Sequence, residues 1–529
     1  MTIISDFARF AAGLSYESVP ERVRQKIRLQ VLTSLSAARF SAWHEGAARV
    51  LAAERGGEPV STVIATGEKT GPEAAVAANA AYAMSLDFDD YMLMGHTGYS
   101  AVLTPLAFLE AQGGTVGDFI TAAAAVNEVI GRLSFACFFG PLNGQMWSYI
   151  HNLGAATAVG KVKGFPEETL ADAMALSLVQ PNFCLAPGFW HEDAKALTAT
   201  IPLKAGMAAA RYAEAGLSGP KDVVEGPLGF FRFFSFAPVP EFCGDLQSSW
   251  LSDTLSYKRY PGTSYIGASV DSAREAAERA GRLPVESPDE VEEIVVDTTF
   301  LSHGLEAIAA QRPPEGPDAI AVNFSVRLSV AYALLAGDLL PESFRPERLA
   351  AAWPGILALA EKVRVRHDWE MTARTMAAFP QAREVLASLG LSAAAKIADH
   401  ARAVQGSAAK GRASADAVFQ AVTRLLGRQG IAALLSRMKT RPRGLSAMDL
   451  AAFPMLQSAR TSIVFKNGRS VRAHVDIPTG GSGQDTGLRR EWVKTRCLLA
   501  FGCDPEPAFR VLARPEAKVS ELVAALRDA

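Results

Sequence analysis

Positive and negative charges almost balance in this sequence, and cysteine is scarce. Its 529 residues include 53 Lys and Arg, 55 Asp and Glu and five cysteines, with a formal net charge of −2 at pH 7. A balanced charge gives no electrostatic field for nucleic acid or an anionic membrane, so neither partner is expected. The cysteines are an odd number without metal-type pair spacing, which predicts reduced thiols, no metal site and a cytoplasmic protein.

Long hydrophobic runs and targeting patterns are also missing. The first residues, Met-Thr-Ile-Ile-Ser-Asp, contain no basic region, and Gly, Asp or Arg interrupts the longest apolar stretches. No repeat, phosphate-binding loop or metal-ligand spacing is found. Hydrophobic residues nevertheless make up 49% of the chain, enough for a large core. The sequence therefore predicts a soluble globular protein with about two to four domains.

The first half of the chain has the pattern of a compact helical bundle. A helix that opens at Pro20 places apolar residues at steps of four, which form one stripe. The small residues Ala and Gly are frequent in the helices that follow, and small residues let helices approach closely. These further helices are predicted at 72–86, 101–112, 115–131, 153–163 and 167–179.

Strand-forming patterns begin after residue 258, which indicates a separate α+β module. Strands are predicted at 292–299 and 363–366, and a buried helix at 323–336. Two alternating runs flank Asn467-Gly468, a strong hairpin signal. An Ala-, Lys- and Arg-rich stretch near 380–455 has helical patterning and is interpreted as an inserted helical segment or mobile flap.

An acidic cluster lies inside an otherwise apolar region at residues 85–104. Asp87, Asp89 and Asp90 follow the predicted helix 72–86, whose last carbonyl groups already carry a partial negative charge. Carboxylates this close also repel one another. The pKa of at least one of them is therefore expected to rise if water is excluded.

A histidine and a tyrosine follow the cluster, in a loop that Gly95 and Gly98 allow to bend tightly. Acidic residues at the C-terminal end of a helix, where negative charge is unfavourable, beside His96 and Tyr99, are typical of a functional site. In the alternative interpretation, Asp87 caps the next helix and the other two carboxylates point into water.

Two further stretches hold candidate site residues. His151 precedes an Ala- and Gly-rich helix start, where it is either catalytic or a hydrogen-bonded packing residue. Lys195 and Lys204 lie in the polar stretch 188–206, between two apolar runs. They either bind a carboxylate or act as bases, or they are solvated on a surface turn.

The sequence Leu-Asp87-Phe-Asp-Asp90, followed by a Gly/His loop, resembles the MmgE/PrpD family, which includes 2-methylcitrate dehydratase and cis-aconitate decarboxylase. The resemblance covers nearly the whole chain apart from about residues 380–455. Further matching motifs, in family order, are Gly154-Ala-Ala-Thr-Ala-Val-Gly-Lys, Pro202-Leu-Lys-Ala-Gly206, Glu225-Gly-Pro-Leu-Gly-Phe, Lys258-Arg-Tyr-Pro261, Asn323-Phe-Ser-Val and the Asn467-Gly468 hairpin.

The resemblance implies a mainly α, two-domain fold with a large all-helical domain and a smaller α+β lid domain. The expected divisions are a helical domain at 1–262, a lid domain at 263–484 and C-terminal helices at 485–529 that return to the helical domain. It also implies a homodimer, a pocket between the domains, no cofactor, and lyase chemistry on a small organic acid.

Several positions depart from the family pattern, which implies an altered substrate. The Thr after the acidic pair is Tyr91, and His96 stands one place before the family's loop histidine. Other family positions for polar side chains hold Ile201, Lys204, Gly267 and Leu328.

The roles implied for the remaining candidates follow the family's chemistry, which abstracts a proton beside a carboxylate and expels hydroxide or carbon dioxide. Asp87, with a raised pKa, is the expected acid, and His96 or His151 the base. The other candidates are expected to hold the anion or to donate hydrogen bonds in place of missing histidines: Lys195, Lys204, Lys258, Tyr91, Tyr99 and Tyr265.

Three functions remain open from the sequence. The first is a cofactor-independent lyase, either a dehydratase or a decarboxylase. The second is an isomerase or epimerase that uses the same proton abstraction without elimination. The third is a non-catalytic dimer that binds a ligand.

Overall fold

The chain is built mainly from α-helices. The computed structural model describes residues 2–141, 148–379, 381–382, 384–385, 389–405 and 442–526. The helices before residue 240, numbered in chain order, are α1 (Ile3–Gly13), α2 (Glu21–Phe40), α3 (Glu45–Glu54), α4 (Pro72–Ser85), α5 (Thr104–Gln112), α6 (Val116–Ala136), α7 (Ile150–Val162), α8 (Glu167–Leu178), α9 (Ala186–Phe189), α10 (Glu192–Lys195), α11 (Leu197–Glu214) and α12 (Phe230–Phe234).

The later helices form two groups, one before and one after residues 406–441, which lie outside the described residues. They are α13 (Gly267–Arg279), α14 (Phe300–Ala309), α15 (Ala319–Phe324), α16 (Val326–Ala336), α17 (Pro346–Ala360), α18 (Trp369–Ala377), α19 (Gly390–Gln405), α20 (Thr486–Phe501), α21 (Glu506–Leu512) and α22 (Val519–Ala525).

In the described part of the chain, the strands form one four-stranded sheet and two short pairs. The sheet has the order β6-β5-β7-β8, with β5 and β6 parallel and the other neighbours antiparallel. The predicted hairpin around Asn467-Gly468 is confirmed as β7–β8. The strands are β1 (Ser61–Thr62), β2 (Lys69–Thr70), β3 (Asp90–Tyr91), β4 (Ser256–Tyr257), β5 (Val291–Thr298), β6 (Val363–His367), β7 (Ala459–Phe465) and β8 (Ser470–Val475).

The described residues form two large hydrophobic cores and one small cluster of Phe189, Ile320 and Phe324. The first core joins apolar side chains of α1–α8, α11 and α12 with side chains of α20–α22. The second core joins α13 and α15–α17 with the four-stranded sheet. The predicted mainly α, two-domain architecture is therefore confirmed, whereas the boundaries at residues 262 and 484 stay a prediction.

Two predicted helices differ from those observed. The helix predicted at 101–112 begins as a π-helical turn, Tyr99–Leu103, before α5. The helix predicted at 323–336 was wrong as a single element, because Ser325 is extended and separates α15 from α16. The Ser325 hydroxyl accepts a hydrogen bond from the Leu328 amide and so caps α16.

Most of the predicted insertion near 380–455 lies outside the described residues. Its described helix, α19, agrees with the predicted helical character. The prediction that the segment is mobile falls outside the part of the chain that the structure describes.

One described helix, α6, has the length and hydropathy needed to cross a membrane. The side chain of Thr115 and that of Asp118 form a capping box at its N-terminus. All residues of the membrane-length window are buried inside the protein. This helix therefore serves as the central helix of the first core.

Candidate active site

The acidic cluster lies where two distant segments of the chain meet. Asp87 lies two residues after the end of α4 and has a left-handed backbone with φ of 54°, a conformation that Asp tolerates better than most residues. The Gly262 amide donates to the carbonyl groups of Leu86 and Asp87 at 3.1 Å each. Pairing of β3 with β4 then brings Lys258 beside Asp89.

Five side chains form a continuous network, which we call the Asp87 cluster. Lys195 Nζ lies 3.2 Å from Asp87 Oδ2, and Lys258 Nζ lies 3.0 Å from Asp87 Oδ1. Lys258 Nζ also lies 2.6 Å from Asp89 Oδ1, and His96 Nδ1 lies 2.8 Å from Asp89 Oδ2. At most 3% of the two lysine and two aspartate side chains is exposed.

The two lysines reverse the expected pKa shift of Asp87. Burial disfavours its charge, but the ammonium groups of Lys195 and Lys258 outweigh burial and hold the pKa of Asp87 below its usual range. The prediction of a raised pKa was therefore wrong. Both lysines lie far from Asp87 in the sequence. The residues near Asp87 therefore showed only negative groups, the neighbouring carboxylates and the helix end, which raise its pKa.

Asp90 is the carboxylate whose pKa rises. Its side chain is fully buried, and burial followed by the charge of Asp89 raises its pKa to about 6. Gln30 Nε2 donates to Asp90 Oδ2 at 2.8 Å, and Ser34 Oγ donates to Oδ1 at 3.0 Å. The alternative in which Asp89 and Asp90 point into water is wrong, because both side chains are buried.

His96 is oriented by two oxygen atoms. Its Nδ1 lies 2.8 Å from Asp89 Oδ2 and 3.2 Å from the Asp90 carbonyl oxygen. Because a carbonyl oxygen and an ionised carboxylate only accept hydrogen bonds, Nδ1 carries the proton in this geometry. Neutral His96 then has its lone pair on Nε2, as a general base requires.

His151 and Tyr99 pack against each other beside the network. Their ring centroids lie 5.4 Å apart in an edge-on arrangement, and His151 Nδ1 lies 3.0 Å from Ser100 Oγ. Burial, followed by the charge of His96, lowers the pKa of His151 to about 3, so this histidine is neutral near pH 7. Burial and the charge of Asp89 raise the pKa of Tyr99, so its hydroxyl keeps its proton.

Lys195 packs against the small cluster that contains Phe189 and Phe324. It is completely buried, and Nζ stands 5.4 Å from the Phe189 ring and 4.6 Å from the Phe324 ring of α15. Burial lowers its pKa, and Asp87 partly opposes this shift. The solvated alternative for Lys195 is therefore wrong. By contrast, Asp87 and Asp89 outweigh burial at Lys258 and raise its pKa.

A small cavity reaches the edge of the cluster at Lys258 and Tyr91. Its volume of about 10 Å³ holds roughly one water molecule, so this conformation is closed to a larger ligand beside Lys258. Tyr91 lies near His96, with 6.3 Å between ring centroids. Tyr265 is half-buried next to two cavity residues, Ser264 and Ile266, and burial raises its pKa to about 12.

No metal site accompanies these groups within the described residues. That part of the chain contains no group of three or more His, Cys, Asp or Glu side chains arranged to hold a metal ion. What the cluster offers is one oriented imidazole and two buried ammonium groups. This set can bind an anion and move a proton beside it.

Comparison with known proteins identifies the family. Residues 5–242 match the MmgE/PrpD N-terminal domain, and residues 260–402 match the MmgE/PrpD C-terminal domain. The chain belongs to the MmgE/PrpD family. The second match continues to residue 402, into the segment that the sequence motifs assigned to an insertion.

Two similar proteins are cis-aconitate decarboxylases of Aspergillus terreus. The first is 23% identical over 290 residues, which are 51% of this chain and 59% of the relative. The second, from strain NIH 2624 / FGSC A1156, is 23% identical over 390 residues, which are 70% of this chain and 79% of the relative. The chain thus spans less than two thirds of the first relative's length.

The MmgE/PrpD pattern has polar side chains at two α11 positions that face away from the cluster here. Ile201 stands at the family's lysine position and is 48% exposed. Lys204 is also at the surface, where its Nζ lies 2.5 Å from Glu54 Oε1. The structure therefore does not bring Lys204 to the Asp87 cluster, and the buried ammonium group comes from Lys195 of α10 instead.

Arg496 is a buried member of the site region that the sequence motifs missed. Its guanidinium lies 3.6 Å from the Phe88 ring centroid and donates to the Lys258 carbonyl at 3.0 Å. Burial lowers its pKa to about 9. The sequence could have indicated this role, because Arg496 lies on the apolar stripe of α20 between Trp492 and Cys497. A charged residue on a buried face needs a buried partner.

Proposed function

We propose that this chain is a cofactor-independent lyase, a dehydratase or decarboxylase that acts on a small organic acid. Membership of the MmgE/PrpD family supports this class, and the two similar proteins are named as decarboxylases. The observation that carries the proposal is the His96–Asp89 pair beside the ammonium groups of Lys258 and Lys195. A fixed base next to buried cations suits proton removal beside a carboxylate.

Lys195 and Lys258 supply the binding site for the substrate carboxylate. Both ammonium groups share one Asp87 carboxylate in this conformation. Lys258 Nζ already donates to three oxygens, the Asp87 carbonyl, Asp87 Oδ1 and Asp89 Oδ1, so a substrate carboxylate must displace one of them when the site opens. Lys195 Nζ donates to Asp87 Oδ2 and can offer its other donors to that carboxylate. The negative charge that develops beside the reacting carbon would then be stabilised in a dry, low-dielectric environment.

In a dehydration, His96 Nε2 takes the proton from the carbon next to the carboxylate. The carbon–oxygen bond on the neighbouring carbon breaks, the electron pair of the broken carbon–hydrogen bond forms the double bond, and a donor returns a proton to the leaving hydroxide. Tyr99 is the candidate for that donation because its hydroxyl is protonated, although burial and the charge of Asp89 raise its pKa and make it a weak acid. Asp87, with its lowered pKa, is the anchor of the lysines rather than the acid.

In a decarboxylation, the same groups act in a different order. The carbon–carbon bond to the leaving carboxylate breaks, carbon dioxide departs, and its electron pair stays on a carbon that is conjugated with a carboxyl group. His96 enters this reaction with a proton on Nε2, supplies that proton to the carbon, and regains a proton from water afterwards. Lys195 and Lys258 would stabilise the remaining carboxylate in both reactions.

The substrate is proposed to be less polar than the tricarboxylates of the named family members. Family positions for polar side chains hold Leu328, which is 8% exposed, and Gly267, which lines the cavity. Tyr91 replaces a smaller threonine and lines the same cavity. Fewer hydrogen-bonding partners and a larger ring favour an acid with fewer carboxylates.

The test is to incubate the protein with a panel of small hydroxy acids and unsaturated acids in D2O and to follow products by NMR. We expect His96→Gln to lower the rate by about 10²–10⁴, the range for general acid–base catalysis. Lys195→Met should raise KM more than it lowers kcat, because it removes a binding cation. Lys204→Met is the matched surface control and should behave like the wild type.

The outcomes separate the three functions. Formation or consumption of an alkene, or release of carbon dioxide, that depends on His96 supports a lyase. Exchange of a carbon-bound proton for deuterium without any alkene identifies an isomerase or epimerase. Binding without exchange or product identifies a non-catalytic ligand-binding protein. Full activity of the folded His96→Gln variant would place the base elsewhere.

A further inference from the structure

A buried arginine from the C-terminal helices lies directly behind the Asp87 cluster. Arg496 of α20 has no exposed surface, and burial lowers its pKa to about 9, so it is charged at pH 7. It stands 238 positions after Lys258, the cluster residue nearest to it in the sequence. Burying a guanidinium is costly unless its donors find acceptors, so the acceptors of Arg496 indicate what it holds in place.

The guanidinium of Arg496 donates to acceptors on three segments of the chain. Nε donates to Ser36 Oγ at 2.6 Å, and Nη2 donates to the Thr33 carbonyl at 3.0 Å, so α2 holds one side of the group. Nη1 donates to the Lys258 carbonyl at 3.0 Å, and Nη2 also donates to the Phe88 carbonyl. These acceptors are neutral, so the bonds fix the positions of backbone groups rather than neutralise a charge.

Phe88 is the residue between the two aspartates that bind Lys258. Its ring lies against the guanidinium of Arg496, with 3.6 Å between Cζ and the ring centroid. On either side of Phe88, Asp87 Oδ1 and Asp89 Oδ1 accept from Lys258 Nζ at 3.0 Å and 2.6 Å. Arg496 therefore contacts the backbone of both segments whose side chains meet at this ammonium group.

The Lys258 carbonyl is bound by a second donor from the same face of α20. Trp492 Nε1 donates to it at 3.3 Å, and Trp492 precedes Arg496 by about one helical turn. A carbonyl that two buried side chains of one helix hold has little freedom to move. The position of Lys258 Nζ between its two aspartates therefore depends on α20.

We propose that Arg496 is a positioning residue of the active site. It ties the Phe88 backbone to the Lys258 backbone and so keeps Lys258 Nζ between the two aspartates. The orientation of His96 depends on the same arrangement, because Asp89 binds both the Lys258 ammonium group and His96 Nδ1. The role in an active site rests on the proposed function, whereas the restraint of the two backbone segments does not.

Two substitutions separate the geometry of the guanidinium from its charge. Arg496→Lys keeps the positive charge but loses the planar set of donors that reaches both carbonyls at once. Arg496→Met removes the charge and all the donors. The matched control is Arg489, about two turns earlier on α20, because it is also buried and donates to the Leu255 carbonyl, outside the cluster.

Amide hydrogen exchange of the full chain tests the restraint without any substrate. In both Arg496 variants, a peptide covering residues 86–92 should exchange about tenfold faster or more than in the wild type, because the Phe88 carbonyl loses a buried donor. The matching Arg489 variants should leave this peptide unchanged. Ser36→Ala removes only the acceptor of Nε and should give a smaller acceleration in the same peptide. Urea unfolding checks that every variant compared is folded.

Kinetics tests the role in the active site once a substrate is found. Arg496→Lys should lower kcat/KM about tenfold or more, whereas Arg489→Lys should not. A loss of stability alone reduces the amount of folded enzyme and leaves KM unchanged, so a raised KM identifies a displaced Lys258.

Faster exchange at residues 86–92 together with a raised KM would support the proposal. Exchange in the folded Arg496 variants that is no faster than in the Arg489 controls would overturn it. If neither Arg496 variant folds, unchanged exchange in Ser36→Ala would overturn it in the same way. Faster exchange with unchanged kcat and KM would overturn the role in the active site. If no substrate is turned over, the exchange data alone decide whether Arg496 restrains the cluster, so failure of the lyase proposal and failure of this one are distinguishable.

Discussion

Replacing Asp87 by Asn removes the charge that holds two buried ammonium groups. Asn tolerates the left-handed backbone at this position as well as Asp does, so the substitution tests the charge rather than the fold of the loop. Lys258 keeps a second partner in Asp89, whereas the ion pair of Lys195 is with Asp87. The effect should therefore fall mainly on Lys195.

The magnitude follows from the separation and the burial of the pair. At 3.2 Å and an effective dielectric constant of about 20, the Coulomb attraction between Lys195 and Asp87 is about 5 kcal/mol. Lys195 already has a lowered pKa and can lose its proton in the variant, which limits the loss. We expect Asp87→Asn to lower the free energy of unfolding by about 2–4 kcal/mol at neutral pH.

A double-mutant cycle isolates this interaction. Lys195→Met replaces the ammonium group by an apolar side chain that fits beside the Phe189 and Phe324 rings. Adding it to Asp87→Asn should cost little, so the coupling free energy should be about 2 kcal/mol or more. Urea unfolding of the wild type, both single variants and the double variant measures it, with Lys204→Met as surface control.

The pH dependence provides an independent check. In Asp87→Asn, the folded-state pKa of Lys195 lies below its ordinary value of 10.5, so the unfolded chain binds more protons. The stability of this variant should therefore rise as pH increases towards 10.5, and the double variant should lack that rise. A coupling free energy below about 0.5 kcal/mol, with parallel pH profiles, would refute the assignment of Lys195 as the buried partner of Asp87.

Two further variants test the packing around Asp90. The pKa of Asp90 is raised from 3.8 to about 6, so ionisation of this group lowers the free energy of unfolding by about 3 kcal/mol as pH rises through that interval. In Asp90→Asn, the free energy of unfolding measured with urea should change less between about pH 4 and pH 7. A methyl group on Gly98 would overlap Asp90 Oδ1 and Ser34 Oγ, so Gly98→Ala should destabilise by about 1–3 kcal/mol in the same assay. Gly13→Ala meets no atom within 4 Å and should be neutral; equal midpoints for the two variants would contradict the packing.

Local sequence patterns were enough to predict the helices and the hairpin that surround the site. The end of α4 before Asp87, the α6 and α7 helices, and the hairpin at Asn467-Gly468 were all predicted from periodicity and turn residues. Each of these signals spans a few neighbouring residues, so it depends little on the rest of the chain. The burial of the acidic cluster was left open, because the same residues also allowed Asp89 and Asp90 to point into water.

The ionisation and the partners of the site were decided by tertiary structure alone. Neighbouring carboxylates and a helix end predicted a raised pKa for Asp87, but Lys195 and Lys258 approach from segments 108 and 171 positions away. The sequence also treated Lys195 and Lys204 as equivalent, whereas one is buried beside Asp87 and the other is exposed beside Glu54. Electrostatic interactions depend on distance in space and on the exclusion of water, and neither quantity is set by separation along the chain.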